Sequence, residues 1–150
     1  MIKIVPFSIE KDIFALQELY LEVFNKKVSS KEIRSRFYKN PEIKNGFNGN
    51  IIAKKGNIIL GHTAIIPTTL AINNDHSIKA GLTVASMVSK KSPGLFYYLL
   101  RHMIHYLKDN DFDLIFGFPN KNSFPYLINK FCFEEGEISY LQLNKYFLNK

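Results

Sequence analysis

Cysteine is all but absent: Cys132 stands alone, so no disulfide can close within the chain and nothing asks for an oxidising compartment. Also missing is any apolar run near the roughly 18–20 residues needed to cross a bilayer. The opening Met1-Ile2-Lys3-Ile4-Val5-Pro6 lacks the cationic stretch, long apolar stretch and small-residue cleavage site of a secretory leader, and reads as a strand. Repeats, low-complexity tracts and composition breaks are lacking too, which points to one domain over residues 1–150 and to a cytoplasmic protein. Acidic residues are few beside basic ones, 13 against 20, giving a net charge of +7 and a pI near 9.4. That balance invites a nucleic-acid partner, but the basic residues lie scattered in pairs such as Lys26-Lys27, Lys54-Lys55 and Lys90-Lys91 rather than in one block. The abundance of lysine, asparagine and isoleucine reads as the imprint of an AT-rich coding sequence. Neither nucleic acid nor membrane is therefore expected as partner, while a modest positive field would attract an anionic ligand such as a nucleotide cofactor.

What the chain does have is the make-up of an ordinary globule, 46% apolar and 22% charged over 150 residues. Ile2 to Val5 predicts a short strand. Ser8 is placed to cap a helix whose apolar positions Ile9, Ile13, Leu16, Tyr20, Val23 and Phe24 keep helical spacing. Ser29 and Glu32 fit a capping box for a second helix carrying Ile33 and Phe37 and ending before Asn40-Pro41. Glu42 to Gly49 reads as a loop. Asn50 to Lys54 and Ile58 to Ile72 flank the hairpin turn Lys55-Gly56-Asn57, and a further strand runs from about Ile78 to Ser89. After Ser92-Pro93-Gly94 the period becomes helical, with Leu95, Tyr98, Leu99, His102, Met103 and Tyr106 on one side. Leu114 to Phe118 is long enough for a buried strand only, Asn122 to Lys130 forms a short helix, and Ile138 to Phe147 predicts a last strand. The order β-α-α-β-β-β-α-β-α-β describes an α+β domain, a mixed central sheet with flanking helices and one β-α-β crossover around residues 84–118.

The chemistry concentrates at Met87-Val88-Ser89-Lys90-Lys91-Ser92-Pro93-Gly94-Leu95-Phe96, a strand running through a tight turn into a helix. Such an end offers backbone N–H groups and the positive end of a helix dipole to a pyrophosphate, and the two lysines add charge; a plain turn and helix start is the competing reading. His102 and His105 stand three apart on a helix, but no third ligand accompanies them, so no metal site is expected. Cys132, between Phe131 and Phe133, reads as a small buried residue, and Phe96-Tyr97-Tyr98 as packing.

This layout resembles the GNAT superfamily of acyl-CoA-dependent N-acyltransferases over nearly the whole chain. The family's phosphate motif, Arg or Gln, two residues, Gly, one residue, then Gly or Ala, aligns with Lys91-Ser92-Pro93-Gly94-Leu95-Phe96. The glycine is kept, the first position is lysine, the closing small residue is Phe96, and Pro93 removes an amide donor. Asn120, Ser123 and Tyr126, with Lys130-Phe131-Cys132-Phe133, are similar to the family's later Asn…Tyr…Gly-Phe segment, with Cys132 in place of Gly. Phe37-Tyr38-Lys39-Asn40-Pro41, Gly61-His62 and Gly117-Phe118-Pro119-Asn120 resemble the N-terminal module of longer bacterial GNAT proteins, some tied to surface-polysaccharide synthesis. Those proteins continue beyond residue 150, so the family's last strand is expected to be incomplete here.

The resemblance implies acetyl-CoA as cofactor, with Met87, Val88, Ser89, Lys91, Ser92, Gly94, Leu95, Phe96, Asn120 and Ser123 binding it. The diverging strand end would expose backbone to the pantetheine arm, and an N–H at Met87 or Val88 would polarise the thioester carbonyl. A neutral primary amine on a small molecule, sugar or peptide would attack directly, oriented by the site. Tyr126 is the expected donor of a proton to the leaving thiolate, with Tyr97 and Tyr98 as competitors. No carboxylate lies on the Ile78 to Ser89 strand, and Glu18, Glu22 and Asp113 are the candidates to act as base through water. The alternative to an acetyltransferase is a non-catalytic module of the same fold that binds CoA or a protein partner; a homodimer stays open.

Overall fold

A computed structural model of the chain describes residues 1–38 and 47–136. Its elements are β1 (Lys3–Pro6), α1 (Ile9–Phe24), α2 (Ser30–Tyr38), β2 (Asn50–Lys55), β3 (Ile58–Ala71), β4 (Ser77–Val88), α3 (Leu95–Lys108), β5 (Leu114–Gly117) and α4 (Phe124–Phe131). The order is the expected one. The strand expected at Ile138 to Phe147, the Lys39-Asn40-Pro41 part of the family resemblance and most of the Glu42 to Gly49 loop lie outside the described residues. The chain falls into two compact units, residues 1–117 and residues 118 onward. No helix among the described residues is long and apolar enough to cross a membrane.

Local signals account for most of these boundaries. The Ser29–Glu32 capping box forms in full: Glu32 Oε2 accepts the Ser29 N–H at 2.7 Å, and Ser29 Oγ accepts the Glu32 N–H at 3.2 Å. Gly56, at φ +59°, makes the two-residue turn between β2 and β3, a backbone conformation that costs glycine little. At α1 the expectation is corrected. Ser8 stands at the N-cap, but its hydroxyl caps nothing; the Asp12 carboxylate reaches back to the Ser8 N–H at 3.0 Å and also takes the Lys54 ammonium at 2.8 Å. That pair ties the start of α1 to β2.

The five strands lie in the order β1-β2-β3-β4-β5, antiparallel throughout except for the parallel pair β4–β5 that α3 joins. Helices α1 and α2 cover one face: Leu16, Leu19, Ile33 and Phe37 pack with Phe7, Ile52, Ala64 and Met87 in one buried cluster. Helix α3 covers the other face. Its buried residues are Leu95, Leu99, Leu100, Met103 and Leu107, whereas Tyr98 and His102, expected on the core side, are exposed along with His105. The helix lies so close that a Cβ at Gly61 would fall on Leu99 Cδ1. Cys132 also departs from expectation: it is exposed, at the C-cap of α4, with φ +54°. That left-handed backbone favours glycine, which is the residue the family resemblance puts there.

Candidate functional site

β4 carries the architecture of the site. It pairs with β5 only from Ala80↔Leu114 to Thr83↔Gly117, and among the described residues nothing pairs with that edge through residues 84–88. The expected crossover strands are therefore adjacent and parallel, but the paired stretch of β4 lies earlier than the expected Val84 to Ser89. The reason is length: β4 has twelve residues and β5 four, so β5 ends while β4 still has residues 84–88 to run. The last pair is tight, since a Cβ at Gly117 would collide with Thr83 Oγ1. Beyond it, Ser89 N–H turns toward β3 and donates to the Leu60 carbonyl at 2.8 Å. Successive residues of a strand address opposite edges, so the Val88 N–H and C=O face the edge that β5 has left.

On the same stretch β4 bulges. Its register with β3 passes from Ala64↔Val84 to His62↔Met87, so Ala85 and Ser86 together oppose Thr63, and Ala85 adopts φ +50°. Two side-chain contacts hold the bulge. Thr63 Oγ1 and Ser86 Oγ lie 2.7 Å apart, and His62 Nδ1 lies 3.1 Å from the Ala85 carbonyl oxygen. His62 is fully buried, edge-on to the rings of Phe7 and Phe37. Burial pushes its pKa down to about 4, a shift that the Ala85 carbonyl only partly offsets. The ring is thus neutral at neutral pH; Nδ1 faces the Ala85 carbonyl oxygen and Nε2 lies 3.3 Å from Asn50 Oδ1, and since both oxygens accept, the ring's single proton serves one of the two contacts. Nothing in the local sequence marks this histidine as the support of a bulge; only the β3–β4 pairing reveals it.

The turn that follows is more internally bonded than its sequence suggests. Glu22 of α1 accepts the Ser89 hydroxyl at 2.7 Å and the Lys90 N–H at 3.1 Å. Ser89, almost wholly buried, in turn takes the Lys91 N–H on its Oγ at 3.2 Å and the Ser92 N–H on its carbonyl at 2.9 Å. Leu95 N–H donates to the Ser92 carbonyl at 3.0 Å, and Pro93 has no N–H to give. The expected row of open amides therefore reduces, within residues 90–95, to the Gly94 N–H. Gly94 sits at φ −70°, where any residue is at ease, and a Cβ built there meets nothing within 4 Å. The fold does not need glycine at this position; open space does. A cavity of about 420 Å³ lies over Ser92, Pro93, Gly94, Leu95 and Tyr98, with Ile2 and Ile4 opposite. The first turn of α3 holds no acidic residue, so the helix dipole there is uncompensated.

The remaining expected site residues have these surroundings. Met87 and Leu95 are buried, Val88 and Phe96 half-buried, and Lys91 exposed. Met87 therefore offers backbone only. In the second unit, Asn120 Oδ1 accepts the N–H groups of Asn122 and Ser123, each at 3.0 Å, and Ser123 Oγ lies 3.2 Å from it, so both side chains are engaged in the turn before α4, and the Ser123 hydroxyl does not cap the helix. Tyr126 is half-buried on α4, its ring tilted against Phe131 at 6.1 Å. Of the candidate bases, Asp113 is placed out of reach: it accepts the Lys79 N–H at 2.9 Å, before the first residue of β5 and at the opposite end of the parallel pair from Val88. Glu22 is engaged with the turn.

An open strand edge, a bulge and a helix start beside an open glycine make a slot suited to a long ligand with an extended, amide-bearing arm and an anionic end. Acetyl-CoA has that form, and the residues present fit it with fewer amide donors than the motif leads one to expect. Comparison with known proteins agrees in fold. The sequence matches the family described as Acetyltransferase (GNAT) domain over residues 8–131. No curated protein sequence matches significantly. Among solved structures, glucosamine-6-phosphate N-acetyltransferase from Arabidopsis thaliana superposes with a TM-score of 0.68 at 18% identity, covering 98% of this chain and 99% of that one. A predicted acetyltransferase with acetyl-CoA from Clostridium acetobutylicum gives a TM-score of 0.71 at 17% identity and 96% coverage of both chains. An aminoglycoside acetyltransferase from an uncultured soil metagenomic sample gives 0.69 at 15%, covering 96% and 97%. The sequence match spans most of the chain and the structural matches reproduce its fold, so the protein belongs to the GNAT acetyltransferase family.

Proposed function

We propose that the chain transfers an acetyl group from acetyl-CoA to a primary amine by direct attack. The observation that carries this reading is the parting of β5 from β4 at Thr83↔Gly117, which among the described residues leaves the Val88 N–H and C=O on an open edge just before the start of α3. Acetyl-CoA supplies an activated acyl thioester when bound. The backbone of residues 84–88 holds its extended arm by strand-like pairing, and the Val88 N–H stabilises charge developing on the carbonyl oxygen. The Gly94 N–H, the α3 dipole and Lys91 hold the anionic end. Tyr126 acts as the proton donor to the departing sulfur, and the proton that the attacking nitrogen sheds restores it. The bulge fixes the line along which the amine approaches, so rate comes chiefly from orientation.

A second reading is a non-catalytic module that binds CoA. The consumption of the Lys90, Lys91 and Ser92 amides within the turn favours it, because it leaves a sparse phosphate cradle. Isothermal titration with acetyl-CoA and thiol release over a panel of amines separate the two. Binding with turnover supports the transferase, binding without turnover on any amine supports the module, and a folded protein indifferent to CoA overturns both.

A further inference from the structure

A second cavity, of about 400 Å³, opens on the α1–α2 face of the sheet beside the bulge. Val84 and Ala85 form its floor, on the length of β4 that β5 leaves free, and Tyr20, Phe24, Lys26 and Arg36 rise around it. Three features of this lining point to a ligand. Tyr20 is almost wholly buried, yet its hydroxyl makes no hydrogen bond within 3.5 Å; the Arg36 guanidinium acts on it from just beyond that distance and only partly offsets the cost of its burial. Such a group is costly unless something arrives to bond it. Lys26 and Arg36 bring two positive charges, and among the described residues neither has a carboxylate within ion-pair distance; the ion pair there is Lys54–Asp12. Glu32 feels both cations, but its carboxylate is spent on the Ser29 N–H and hydroxyl at 2.7 and 3.0 Å. Among the described residues, no carboxylate stands in the cavity lining. A pocket built to greet a free cationic amine alone would have the opposite charge.

We propose that this cavity receives the acceptor and that the acceptor is an amine bearing a phosphate or carboxylate group. Arg36, Lys26 and the Tyr20 hydroxyl hold the anion, and the amine end lies toward Ala85. The cations thereby do two things: they bind the anion, and they disfavour the protonated form of the amine, which must be neutral to attack. The size of the cavity suits a small molecule of the order of an amino sugar phosphate or an amino acid. This inference rests on the transferase reading for its role in a reaction, though not for the existence of the site.

The test is isothermal titration of the whole chain, with and without CoA, against matched amines. Phosphoethanolamine is set against ethanolamine, glucosamine 6-phosphate against glucosamine, and β-alanine against propylamine. The expected result is that an anionic member binds about tenfold or more tightly than its neutral partner, and that Arg36→Gln with Lys26→Gln erases the preference. The phosphate and carboxylate pairs tell which anion is meant. Tyr20→Phe should weaken the same ligand several-fold while leaving the melting temperature unchanged or raised, because the buried hydroxyl it removes makes no close hydrogen bond within the protein; a merely structural tyrosine would not divide in this way. Equal or absent affinity across every pair, or a preference that survives in the Lys26/Arg36 double variant, overturns the proposal. Loss of CoA binding with the anion preference intact sinks the transferase reading and leaves the site standing; CoA binding without the preference does the reverse.

Discussion

His62 Nδ1 lies 3.1 Å from the carbonyl oxygen of Ala85, so a fully buried imidazole on β3 holds the one residue of β4 whose backbone is left-handed. The contact joins the interior beneath α1 and α2 to the edge on which the cofactor's arm is proposed to lie. It also makes the geometry of that edge sensitive to the protonation of a group with no route to solvent.

Stability should accordingly fall in weak acid. His62 has a pKa near 4 in the folded chain and about 6.5 when exposed, so the unfolded chain binds the extra proton first. The contribution is complete above pH 6.5 and is lost progressively as pH drops toward 4, by about 3 kcal/mol at most. Urea unfolding at pH 7, 5 and 4 measures it, and His62→Phe should flatten the dependence over that window even if it lowers stability overall. An unchanged slope in the variant would assign the effect to other groups.

Gly94→Val should leave the melting temperature nearly unchanged and abolish acetyl-CoA binding. The backbone there is ordinary for any residue and a side chain meets no protein atom, so the only thing displaced is a ligand. Lys91→Ala should weaken binding less, by about 1 kcal/mol or under, since an exposed charge beside a phosphate is well screened. Calorimetric titration decides both, and a Gly94→Val protein that binds like the parent would move the cradle elsewhere.

Glu22 should prove a brace for the turn rather than a base. Glu22→Ala removes the acceptor of the Ser89 hydroxyl and the Lys90 N–H, at a cost of about 1–3 kcal/mol in stability and with weaker acetyl-CoA binding. Glu22→Gln keeps an acceptor oxygen and should retain both turnover and the pH–rate profile. Loss of kcat in the glutamine variant, with the melting temperature kept, would make Glu22 the base after all.

Tyr126→Phe deletes only a hydroxyl. If that hydroxyl protonates the leaving thiolate, kcat should fall by about a hundredfold while the affinity for acetyl-CoA stays the same. Steady-state kinetics beside titration read the two effects separately, and undiminished kcat would leave Tyr126 a packing residue.

The readings that held are those whose causes are local in the chain. Ser29 and Glu32 cap a helix because they stand three residues apart, and Lys55-Gly56-Asn57 turns a hairpin because Gly56 accepts a positive φ, whatever surrounds them. Element order follows from hydrophobic period, and with it the parallel β4–β5 step and the family. The helical period assigned Tyr98 and His102 to the core, but a single period leaves the angular position of the stripe free by about one residue, and the sheet selected Leu100 and Leu107 instead. Ser8 was a sound cap by type, yet Asp12, drawn inward by Lys54 from β2, took over part of that work.

By itself, then, the sequence determined where the described strands and helices lie, that a strand runs through a turn into a helix at residues 87–96, and which fold family the chain belongs to. Each of these depends on contacts between residues a few positions apart. Only the tertiary structure decided the register that ends β5 at Gly117, the bulge at Ala85, and the partners of the turn. His62 reaches Ala85 across 23 residues and Ser89 reaches Glu22 across 67. A contact over such a separation leaves no periodic trace in the chain, because it is selected by how whole elements pack and not by the propensities of the residues that make it.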